Sequence, residues 1–124
     1  MRKYFLYFGG TITFCLTFVH LSFWKLGNWQ VELSQISTIN KSIMQMLNVF
    51  TIYTVLFTAF ISFYLAKKEE FAFIEKSLVI FISGYYSIRF IFGFIFFETS
   101  TLETGIRIIC LIVAICYLLS LRKK

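Results

Sequence analysis

The sequence has no proline and no aspartate, one histidine and only 15% charged residues. Each scarcity excludes something. Without proline the commonest cause of helix kinks is missing, so long apolar runs should form continuous helices and not the broken helices of many transporter sites. No carboxylate is read inside any apolar run, whereas four-span drug exporters depend on one to exchange a proton for a cationic drug. Proton-coupled cation export is therefore disfavoured. A lone histidine makes no metal or haem pair within one chain. Cys15, Cys110 and Cys116 lie in apolar runs without a CxxC spacing and read as small apolar fillers. With no Gly-rich phosphate loop either, no metal and no cofactor is called for.

What is present in excess is apolar side chain. The 124 residues are 59% hydrophobic and 21% aromatic, with a mean hydropathy of +0.81, where a soluble domain holds about 45–50% apolar residues. A chain this short cannot bury that much surface from water. Lipid is the alternative solvent, and a spanning helix needs about 20 mostly apolar residues. Four runs qualify, at 4–26, 43–66, 77–97 and 106–121. The fold expected is all-α: one membrane domain over residues 1–124, a transmembrane four-helix up-down bundle with short connections. The second and third spans, joined by the charged stretch "AKKEEFAFIEKS", should be antiparallel neighbours. The start "MRKYF" reads as a retained first span, because its apolar run is long and no small-residue cleavage site follows.

Charge gives an orientation. Arg2, Lys3, Lys67, Lys68, Lys76, Arg122, Lys123 and Lys124 fall at the two termini and the middle connection, and only Lys25 and Lys41 on the other side. The positive-inside rule then puts both termini in the cytoplasm of a multi-pass protein of the bacterial cytoplasmic (inner) membrane. The +6 charge is a topology signal, and without a basic face on a folded domain nucleic acid is not an expected partner.

Between the first two runs, Trp29, Leu33 and Ile36 recur at helical spacing among polar residues. They predict a short amphipathic helix lying at the outer interface. Ser42 with Gln45 three residues on reads as a capping box opening the second span, with Thr38 or Asn40 as alternatives for a longer helix.

In lipid, inner faces are marked by small and polar residues. Thr13, Thr17, His20 and Trp24 share one face of the first span. Lys41, Met44, Asn48, Thr51, Val55, Thr58 and Ser62 share one of the second, Tyr85, Arg89 and Gly93 one of the third, and Glu103, Arg107, Cys110, Ala114 and Tyr117 one of the fourth. At about 1.5 Å per residue, His20, Asn48 and Arg89 all fall in the outer half of the bundle. Arg89 is too deep for a snorkelling end residue, and an arginine there costs at least about 2.5 kcal/mol without a partner. Glu103 is expected to pair with Arg107 at i, i+4, which leaves Arg89 to Asn48, His20, a tyrosine, helix-end carbonyls, water or an anionic ligand.

Three readings of these residues stand side by side. They form a buried hydrogen-bond network that fixes helix register. Or His20, Trp24, Asn48, Tyr85, Arg89 and Arg107 line an outer pocket, in which the arginines hold a phosphate or carboxylate and Trp24, Tyr85 and Tyr86 contact an apolar body. The protein is then a binding or accessory protein for membrane lipids, an anionic amphiphile or a partner membrane protein, with a homo-oligomer also open. Or His20 is the acid/base of a small membrane enzyme acting on a lipid or amphiphile, although no carboxylate orients it.

The segments "HLSFWKLGNW", "INKSIMQMLNV" and "SIRFIF" resemble a family of small bacterial four-span integral membrane proteins whose activity is uncharacterised. The resemblance covers most of the chain, and its pattern includes His20, Trp24, Trp29, Asn40, Gln45, Asn48 and Arg89. It implies the same four-span fold and a shared polar site, and it supplies no activity, cofactor or substrate.

Overall fold

A computed structural model describes residues 1–122; Lys123 and Lys124, which entered the orientation reading, lie outside them. Six helices follow one another: α1 (Arg2–Leu21), α2 (Phe23–Leu26), α3 (Trp29–Glu32), α4 (Thr38–Leu65), α5 (Phe73–Phe96) and α6 (Thr101–Ser120). No strand occurs among the described residues. α1, α4, α5 and α6 are each long and apolar enough to cross a membrane, the mark of a multi-pass membrane protein.

The helix ends differ from the sequence reading for identifiable reasons. α1 stops at Leu21 with Ser22 as its C-cap, the Ser22 hydroxyl bonding the carbonyl of Phe18 (2.8 Å). α4 starts at Thr38, five residues before the expected 43, because Ser37 is its N-cap and accepts the Asn40 N–H at 3.3 Å. The capping box expected at Ser42 is not formed: Ser42 sits inside the helix and bonds the Thr38 carbonyl (3.0 Å). α6 starts at Thr101 and not at 106, capped by Ser100, which accepts the Glu103 N–H at 3.1 Å. The amphipathic helix expected on Trp29, Leu33 and Ile36 is only the single turn of α3, and residues 33–37 form turns before α4. Asn28 makes the bend into it with a left-handed φ of 45°, a conformation asparagine tolerates better than most residues.

The long helices alternate in direction. α1 packs along α4 and along α6, and α6 along α5. α4 and α5, expected as packed neighbours, do not approach closely along their backbones. The fold is therefore two tight antiparallel pairs, α1/α4 and α5/α6, joined through α1 and α6. Small residues allow the close approaches: a Cβ on Gly10 would lie 3.0 Å from the Ser62 Cβ and 3.1 Å from the Phe63 ring.

The centre of the molecule is apolar with hydroxyls set into it. Leu6, Leu65, Val79, Ile82, Val113 and Tyr117 are buried. Tyr86 donates to the Thr13 hydroxyl of α1 at 3.2 Å, Ser83 donates to the Ala114 carbonyl of α6 at 3.0 Å, and the Ser62 and Tyr117 hydroxyls bond across α4 and α6. Tyr86 is thus a core side chain and not the ligand contact expected from sequence. The outer faces carry Phe50, Tyr53, Phe57 and Phe60 on α4 and Phe81, Ile88, Phe92 and Ile95 on α5, all exposed. Water would penalise that surface heavily; acyl chains would not.

Candidate functional site

The end of the molecule formed by the α1 C-terminus, the α4 N-terminus and the α5–α6 connection gathers the polar residues singled out in the sequence. They form two clusters, one on each helix pair.

The first cluster joins α1 to α4. His20 and Asn48 make two reciprocal bonds: Nδ1–H of the ring donates to Asn48 Oδ1 (3.3 Å), and Asn48 Nδ2 donates to the His20 carbonyl (3.2 Å). The second bond answers a need of the helix itself, since α1 ends one residue later and its last carbonyls lack intrahelical donors. The Phe23 ring meets His20 edge-on at 4.7 Å. Asn48 is buried and His20 half-buried. Trp24 does not join them. With α1 broken at Ser22, Trp24 leaves the inward stripe, is exposed, and packs on Trp29 at 5.5 Å.

The second cluster joins α5 to α6 and centres on Glu103. Arg89 Nη1 and Nη2 donate to the two Glu103 oxygens at 3.0 and 2.9 Å, a bidentate pair. Arg107 Nε donates to Glu103 Oε1 at 3.2 Å, and its Nη2 donates to the carbonyls of Gly93 (2.8 Å) and Phe97 (3.1 Å). Arg107 therefore does for α5 what a C-cap does, satisfying carbonyls the helix leaves open. Both guanidiniums also lie on aromatic rings, Arg89 over Phe97 (4.5 Å) and Arg107 over Phe94 (4.4 Å), contacts that favour desolvated cations. Gly93 leaves room for this packing: a Cβ there would meet Arg89 Nη1 and Glu103 Oε1 at 2.9 Å each, so the ends of the paired side chains would have to shift.

Two sequence expectations are corrected here. Arg89 has a carboxylate partner, and it is Glu103, shared with Arg107. A carboxylate also does lie within a span, because α6 begins early enough to include Glu103, which is buried. It is pinned by two guanidiniums and so is not the free acid that cation export needs. The signal that would have found it is the Ser100–Thr101–Leu102–Glu103 capping sequence, which moves the helix start outward by more than one turn.

The charges do not cancel, since two arginines face one glutamate. Arg107 and Glu103 are almost fully enclosed, but the Arg89 side chain remains 31% exposed. It is close enough to His20 and Tyr85 to act on them electrostatically, and Tyr85 of α5 reaches Thr51 of α4. No hydrogen bond or ion pair joins the two clusters directly. Among the described residues no group of His, Cys and carboxylates could hold a metal ion.

At the opposite end, outside the spans, Lys68 stacks on the Tyr64 ring at 5.1 Å and lies 3.9 Å from Glu75. Tyr64 and then Glu75 favour its ammonium and hold it above the ordinary lysine range.

Comparison with family models, curated proteins and solved structures found no match for this chain.

Proposed function

We propose that the chain is a multi-pass protein of the bacterial cytoplasmic membrane, its long helices crossing as an up-down bundle with both termini inside. In this reading it acts as a binding or accessory protein and takes an anionic lipid-like ligand in the outer half, at Arg89. The observation that carries the reading is the incomplete neutralisation of Arg89. Glu103 occupies one edge of its guanidinium and is itself shared with Arg107, so the cluster keeps one excess positive charge. Phe97 lies under the Arg89 guanidinium and Tyr85 is close by, and both offer aromatic surface. A cation that must stay charged in a low-dielectric site gains from an anion on its open side, and a phosphate or carboxylate suits the planar donor set of arginine. The expected site is thereby narrowed: Arg89, Tyr85 and the His20–Asn48 pair border it, Arg107 supports it from inside, and Trp24 stands apart. The resemblance to small bacterial four-span proteins belongs to the same reading.

The enzyme reading through His20 finds an amide beside the ring where a catalytic histidine would have a carboxylate, and the geometry offers it no second reacting group. Substitution separates the two. Lipid extracted from the purified protein is quantified for wild type, Arg89→Gln and His20→Gln, with folding checked by circular dichroism. The binding reading expects Arg89→Gln to lose an anionic species that His20→Gln retains. Equal lipid content in wild type and Arg89→Gln would return the cluster to a purely structural role.

A further inference from the structure

The end opposite the Arg–Glu–Arg cluster holds a cavity of about 1380 Å³. Cationic side chains converge on it from α1, from the α4–α5 connection, from α5 and from the end of α6: Arg2, Lys3, Lys67, Lys68, Lys76 and Arg122, against only Glu69 and Glu70. A topological bias explains why lysines and arginines lie at this end. It does not explain their convergence on one cavity.

Two of these cations already have structural work. Arg2 donates from Nε to the Ser120 carbonyl (3.2 Å) and from Nη1 to the Glu69 carbonyl (3.0 Å), with its plane over Phe71 at 4.4 Å. It thereby ties the last turn of α6 and the α4–α5 connection to the start of α1, so three walls of the cavity are held in register. Lys68 is paired with Glu75. Lys3, Lys67, Lys76 and Arg122 make no ion pair among the described residues. The lining also includes Phe5, Ile80 and Leu119, and Ile80 is exposed on the outer face of α5. The cavity therefore runs from a polycationic end onto surface suited to acyl chains.

We infer that this cavity binds the phosphate-bearing headgroup of an anionic membrane lipid, with Lys3, Lys67, Lys76 and Arg122 around the phosphates and the acyl chains leaving along Phe5 and Ile80. Basic pockets between spanning helices recognise such headgroups through several simultaneous charge contacts. The volume exceeds the roughly 300–1,000 Å³ of an ordinary small-molecule site. With four cations that make no ion pair among the described residues, it suits a headgroup with two phosphates better than one. The inference stands apart from the Arg89 site, which lies at the other end of the molecule, so either can fail without the other.

The test uses the whole chain in phosphatidylcholine nanodiscs doped with diphosphatidylglycerol, read by native mass spectrometry of the released protein. Wild type should retain diphosphatidylglycerol in preference to phosphatidylcholine. Lys67→Gln with Lys76→Gln should weaken that retention by about tenfold or more, and so should Lys3→Gln with Arg122→Gln on the other walls, which covers the case in which one pair fails to fold. Lys25→Gln with Lys41→Gln, an equal loss of charge at the opposite end, should change nothing. The inference is overturned if this control loses as much lipid as the cavity variants, which would mean diffuse surface attraction. It is also overturned if inorganic phosphate alone displaces the lipid at equal concentration, which would mean a free-phosphate site, or if wild type shows no preference between the two lipids.

Discussion

At the scale of single residues, Glu103 decides the most. Among the described residues it is the only carboxylate paired with two guanidiniums, and its removal would strand both in a poorly solvated site. Glu103→Gln should destabilise the protein by about 3–5 kcal/mol, the usual cost of breaking a buried pair from one side, measured by reversible unfolding in detergent. Glu98→Gln, an exposed neighbour without an ion pair, should change stability by less than about 0.5 kcal/mol. The pair Arg89 and Glu103 should also show a coupling of about 0.5–3 kcal/mol in a double-mutant cycle; additive effects would break the bidentate contact on which the candidate site rests. Gly93→Ala forces a Cβ against Arg89 and Glu103 and should cost about 1–3 kcal/mol. None of this was legible from the residue types alone. The i, i+4 spacing of Glu103 and Arg107 was visible, but a carboxylate has two oxygens, and spacing along one helix says nothing of the arginine that the neighbouring helix brings to the second.

At the scale of elements, helix beginnings carry the account. Apolar runs locate the middle of a span well, because hydrophobicity is summed over about 20 residues, whereas the ends are set by single hydroxyls. Ser37 and Ser100 each move a helix start about five residues outward, and the second of these moves brings Glu103 into the cluster. Ser100→Ala should therefore cost about 0.5–2 kcal/mol and raise hydrogen exchange in the first turn of α6; unchanged exchange there would remove the cap from the account. The inward stripes were readable in part, because polar and small residues in lipid gather at helix contacts: Cys110, Ala114 and Tyr117 are buried as their spacing implied, whereas Trp24 and Met44 are exposed. The partner order of the helices was not readable, since short connections favour neighbours and yet α4 and α5 stay apart. The close approaches at Gly10 and at Ser83 with Ala114 lie within the α1/α4 and α5/α6 pairs. Asn48→Leu, which removes both bonds to His20 on the α1/α4 pair, should cost about 0.6–2 kcal/mol, read by the same unfolding assay.

At the scale of the whole molecule, the two ends differ in kind. One end holds a compact cluster that keeps one excess positive charge, with the Arg89 side chain partly exposed, and the other a wide cavity lined by cations, four of which make no ion pair among the described residues. Composition announced the membrane and the basic end plainly, because both are sums over many residues. The candidate sites were less legible, because each depends on side chains from three or four segments meeting in space. The functional account requires these ends to face opposite sides of a membrane, with the basic end in the cytoplasm. Thiol labelling with an impermeant maleimide tests this most directly, in a Cys15→Ser background that removes the exposed native cysteine. The two probe positions are both exposed: Glu70→Cys in the α4–α5 connection and Thr99→Cys in the α5–α6 connection. The account predicts that Thr99→Cys is labelled in intact cells and Glu70→Cys only after the membrane is permeabilised. Labelling of both from the same side, or of Glu70→Cys alone in intact cells, would contradict it.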